Sequence, residues 1–92
     1  MDWNRFSSYL ARYGKDPRLN VWHMALLTAI LRLAVSQHEE RVVRVSRSVL
    51  MTLSHINTLP TYHKYFKELQ VMGYVRYTPS YHPGFRSTVE LL

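Results

Sequence analysis

The sequence predicts an α+β fold, one small domain of packed helices closed by a short antiparallel β hairpin, and two stretches carry that expectation. Between residues 58 and 72 the apolar residues Tyr62, Phe66 and Leu69 recur at i, i+4 and i+7, with Tyr65 and Met72 widening the stripe. That is the spacing of a helix buried along one side. Past Gly73 the period drops to two, over residues 74–78 and again over 87–91, with Pro79-Ser-Tyr-His-Pro-Gly-Phe-Arg between the two runs. A chain of 92 residues with 47% hydrophobic content has room for a single core and is too apolar for a disordered tail.

From the start of the chain, Trp3, Phe6, Leu10 and Tyr13 fall at i, i+3, i+7 and i+10, which predicts a short amphipathic helix over residues 2–13, stopped by Gly14. Residues 1–16 are read as this helix and residues 17–92 as the main domain. The aromatic face packs either on its own domain, the reading we favour, or against a second copy in a homodimer. Lys15-Asp-Pro-Arg-Leu is a turn, since Pro17 bars a continuous helix. Asn20 caps the predicted central helix, residues 21–38, with its buried face at 22, 25, 26, 29, 30 and 33 and with Trp22 and Met24 in or near the core. Residues 41–45 alternate as a strand, and Ser46 then caps a helix over 47–54 that turns Val49, Leu50 and Leu53 inward.

The chain turns at His55-Ile-Asn-Thr into the helix that begins near Leu59. Thr58 is expected to cap it through its hydroxyl, and Pro60 sits in the first turn, where a missing N–H costs nothing. Gly73 supplies the left-handed residue that ends it. Its outward side carries Thr61, His63, Lys64 and Lys67 and is expected to lack a large aliphatic. Two helices joined by a turn of this length form a helix-turn-helix.

The run Thr-Tyr-His-Lys-Tyr-Phe-Lys-Glu-Leu-Gln-Val-Met-Gly-Tyr-Val resembles the recognition helix and following strand of MarR-type and related bacterial winged helix-turn-helix regulators, and the resemblance extends over residues 21–92. A narrower likeness, in Thr-Tyr-His-Lys and Pro-Ser-Tyr-His-Pro, is to small winged-helix proteins found beside mobile elements in Bacteroidetes. The resemblance implies sequence-specific binding of double-stranded DNA, in transcription regulation or as an architectural or excision accessory of a mobile element. It places Thr61, His63 and Lys64 at major-groove positions and Lys67 on the DNA backbone. Ser46, Arg47 and Thr58 would meet phosphate, and Tyr81, His82 and Arg86 of the wing would lie along the adjacent minor groove or its phosphates. The long terminal dimerisation helices of MarR proteins have no counterpart here, so their ligand-responsive dimer is not carried over.

Charge agrees with a polyanionic partner. The formal charge is +6, and it is unevenly spread. Residues 1–40 nearly balance, whereas residues 41–92 hold Arg41, Arg44, Arg47, Lys64, Lys67, Arg76 and Arg86 against Glu68 and Glu90 alone. Such a surface attracts phosphate backbones without reading sequence. An enzyme is not expected: no GxSxG elbow or glycine-rich phosphate loop is present, and five histidines show no HExxH or His-x-His spacing. No metal or cofactor is therefore expected. The absence of cysteine, of a basic-then-apolar leader and of a ~20-residue apolar run points to a cytoplasmic chain away from membranes. The rival class is a winged-helix adaptor that docks proteins, for which an apolar or acidic patch on the helix from Leu59 would be the mark.

Overall fold

Asn20 starts the helix on which the other elements pack. Its side-chain oxygen accepts from the backbone N–H groups of Trp22 and His23, while the His23 ring takes the Asn20 N–H in return, a reciprocal capping box. The computed structural model describes all 92 residues. It has four helices and a three-stranded antiparallel sheet: α1 Trp3–Gly14, α2 Val21–Ser36, β1 Val42–Val45, α3 Arg47–Ser54, α4 Leu59–Val71, β2 Val75–Thr78 and β3 Ser87–Leu91. The α+β class expected from the sequence is the class observed.

The core is one cluster. Leu26, Leu27, Ile30, Leu31 and Ala34 of α2 meet Leu50 of α3, Phe66 and Leu69 of α4, and the inward residues Val43, Val75, Val89 and Leu91 of the sheet. Replacing a fully buried leucine such as Leu26 or Leu69 by alanine should cost about 2–5 kcal/mol. The sheet order is β1-β3-β2, with Val43 opposite Val89 and Tyr77 opposite the same residue on the other side. Gln37, just past α2, fastens the sheet to the helix: its amide accepts from the Arg44 N–H and donates to the Arg44 carbonyl.

Several expectations need correction. The central helix ends at Ser36 rather than near His38, because His38 adopts a left-handed φ of 55° that no helix accommodates. Its buried face is centred on His23, Leu27 and Ala34, which leaves Trp22 at the flank and 41% exposed. Thr58 occupies the N-cap position of α4 but its hydroxyl caps no amide. Pro60 has removed one of the two N–H groups it could have served, and the Thr58 hydroxyl donates instead to the Thr61 hydroxyl, 2.8 Å away. The aromatic stripe of α1 is also not uniformly covered. Tyr13 is buried edge-on against Tyr74, Phe6 and Leu10 are half-buried, and Trp3 is 72% exposed, lying on Phe6.

Gly73 has φ of 82° and ends α4, so that Tyr74 turns back under the helix with its N–H donated to the Leu69 carbonyl. A Cβ there would meet no neighbour, so alanine would cost only the left-handed backbone penalty of about 1–2 kcal/mol.

Candidate nucleic-acid interface

The outward face of α4 is set by the residues its inward face buries. With Tyr62, Phe66 and Leu69 in the core, the 3.6-residue period brings His63, Lys67 and Gln70 into one exposed stripe on successive turns. The N-terminus of α3 lies beside that stripe. Ser46 caps it, accepting the Val49 N–H at 3.3 Å, and Arg47 and Ser48 occupy its first turn. Between them runs an open groove of about 760 Å³, rimmed by Ser46, Arg47, His63, Lys67 and Gln70. Its floor is aromatic: Tyr62 stacks on Phe66, which meets Tyr77 of β2 edge-on at 5.3 Å. Burial pushes the Tyr62 phenol up to about 12, with Tyr77 adding to the shift and Arg47 opposing it. Arg47 and Tyr62 line the same groove.

Ser46 is shared with a second, smaller hollow that also contains Arg44 and Arg86. On the other flank of α4, Lys64 joins Thr61, Pro60, Trp22 and Tyr65, its ammonium 5.1 Å from the Tyr65 ring, which Trp22 stacks upon. Arg86 and Arg44 thus adjoin Arg47 and Lys67 through Ser46, and Lys67 shares a further hollow with Lys64 and Glu68, which makes one tract of the five cations.

Three of the carboxylates form their ion pairs away from these cations. Glu90 binds Arg41 and Arg76, Glu40 binds Arg5, and Asp16 binds Arg18. Glu68 sits one turn beyond Lys64 yet accepts from His23, Oε1 to Nε2 2.8 Å. Because the His23 Nδ1 takes the Asn20 N–H, the proton must sit on Nε2, which fixes the ring between the start of α2 and the middle of α4. None of Arg44, Arg47, Lys64, Lys67 and Arg86 has a carboxylate within ion-pair distance.

Comparison with protein-family models, curated proteins and solved structures finds no match. What the tract can do must be read from its own chemistry. It offers unneutralised cations, hydroxyls from Ser46 and Ser48 and the His63 and Gln70 side chains along a helix face, with no converging group of His, Asp or Glu for a metal. No helix is long and apolar enough to cross a membrane.

Of the residues expected at the site, Ser46, Arg47, His63 and Lys67 are brought together in the main groove, and Arg86 adjoins them through Ser46. Thr61 and Lys64 lie on the α2 side of α4, and Thr58 is spent on its bond to Thr61. Tyr81 and His82 stand apart, exposed in the loop between β2 and β3. Three neighbours were not anticipated: Gln70, Ser48 and Arg44. Gln70 was within reach of the helical period, seven residues after His63, and Arg44 within the alternation of β1. Ser48 gave no such signal. The expectation of no large aliphatic on α4 is also corrected, since Leu59 is 43% and Val71 78% exposed.

Proposed function

We propose that this chain is a winged helix-turn-helix protein that binds double-stranded DNA with sequence preference, α4 entering the major groove. In this reading α3, the turn at residues 55–58 and α4 are the helix-turn-helix, and the β2–β3 hairpin with its loop is the wing. The observation that carries the proposal is the run of cations without carboxylate partners along the outward face of α4 and its two neighbours. A groove of about 12 Å admits one α-helix, and side chains in its first turns meet base edges. His63 and Lys64 are so placed, while Lys67, Arg47 and Arg86 suit phosphates, with Ser46 and Ser48 donating beside them. Regulation of transcription is the use proposed for such binding.

Docking of a protein through α4 finds support only in Leu59 and Val71. They lie twelve residues apart, about 18 Å along the helix, with the cations between them, so they form no common patch.

Binding-site selection from a random pool tests the proposal. His63→Ala and Lys64→Ala should relax base preference, a good base contact discriminating by about 1–3 kcal/mol, whereas Lys67→Ala should weaken all sequences alike. Unchanged preference in both of the first two variants would remove α4 from the bases.

A further inference from the structure

Tyr81 and Phe85, in the loop between β2 and β3, are 89% and 74% exposed. Other exposed aromatics of the chain lean on a neighbour, Trp3 on Phe6 and Trp22 on Tyr65, but neither loop ring has an aromatic beside it or contributes to the core. The loop that displays them is built to hold its shape. The Phe85 N–H donates to the His82 carbonyl at 3.2 Å, closing a four-residue turn with Pro83 second and Gly84 third, and Gly84 has φ of 86°. Proline then glycine with a positive φ is the chemistry of a type II turn. At the loop's base the Ser80 N–H donates to the Ser87 hydroxyl. The two rings therefore flank a closed turn, one just before it and one at its end.

Their surroundings indicate the occupant. Residues 79–86 contain no acid, and Arg86 leads directly into the hollow with Arg44 and Ser46 that adjoins the groove of α4. We infer that this loop is an aromatic wedge: on a duplex gripped by the cationic tract, Tyr81 and Phe85 press into a base step from the minor groove, partly unstack it and bend the DNA. The inference rests on the proposed duplex binding and adds deformation to it. Apolar side chains inserted in this way kink a duplex by roughly 20–90°, and pyrimidine–purine steps yield most readily. A preformed turn suits the task, since a loop backbone already held in shape loses little freedom on insertion.

The test uses the whole chain and an end-labelled duplex of about 30 base pairs with a central TA step, its bend read by energy transfer between the ends. The parent should shorten the end-to-end distance. The doubly substituted Tyr81→Ala, Phe85→Ala chain, with Pro83 and Gly84 intact and an unchanged melting temperature, should bind with less than tenfold loss and the same salt dependence but leave the duplex straight. Salt-sensitive binding without bending, or a bend that survives the double substitution, would overturn the wedge and leave duplex binding standing. Failure of the parent to bind duplex would overturn both. Tyr81- and Phe85-dependent self-association or capture on anionic vesicles, with the DNA straight, would assign the rings to another occupant and overturn the wedge alone.

Discussion

Lys67 lies mid-helix on the outward face of α4. Glu68 hydrogen-bonds His23 and forms no ion pair with Lys67 beside it or Lys64 one turn before, although its carboxylate shares a hollow with both. Titration of single groups bears on stability as well as on binding. The Tyr62 phenol is raised by burial, and burial likewise raises Tyr13. A phenol raised in the fold keeps its proton while the unfolded chain loses its own near pH ~10, so this stabilisation is whole below about pH 10 and is lost as pH climbs through the folded values. Melting temperatures should therefore fall steeply above about pH 10, and Tyr62→Phe should flatten part of that fall. Asp16 behaves in the opposite sense. Hydrogen bonds from Arg18 and then the Tyr74 hydroxyl hold its carboxyl well below the usual range, so its contribution is present above pH ~4 and is lost on acidification. Asp16→Asn should lose less stability than the parent between neutral pH and about pH 3. An equal loss would contradict the assignment.

At the scale of elements, local signals in the sequence account for most of the boundaries. Asn20 and Ser46 start their helices, Gly73 stops α4 and a period of two marks β1, β2 and β3, all within two residues of where they lie. What was hidden depended on partners distant in sequence. His23 reads as a polar residue on an apolar helix, and only Glu68, forty-five positions later, explains why it is 2% exposed. Trp22 was assigned inward by the apolar spacing along α2, whereas the face of α2 was decided by what α3, α4 and the sheet cover. The groove beside α3 was half legible, since periodicity orders side chains along one helix but says nothing of which helix lies alongside. The N-terminal helix offers a test at this scale. Because Tyr13 is fully buried against Tyr74, removing residues 1–14 should lower the melting temperature, and Tyr13→Ala alone should cost about 3–5 kcal/mol, the range for losing a large buried aromatic. Light scattering on the truncated chain should give an unchanged oligomeric state. A lost dimer with unaltered stability would instead assign α1 to a second copy.

Across the whole molecule the charges are sorted. Glu90 pairs with both Arg41 and Arg76 on the outer face of the sheet and Glu40 with Arg5 on α1, while Arg44, Arg47, Lys64, Lys67 and Arg86 form no ion pair. On the proposed duplex, Arg44, Arg47, Lys64, Lys67 and Arg86 would meet roughly five phosphates.

The affinity of the parent chain for duplex DNA as a function of salt tests this arrangement most directly. Neutralising about five phosphates should release their counterions and give a log–log slope of about −4 to −5, and Arg47→Ala with Lys67→Ala should make it shallower by about two. A flat response at neutral pH, or a steep one that the two substitutions leave unchanged, would contradict the assignment of this tract to the phosphate backbone.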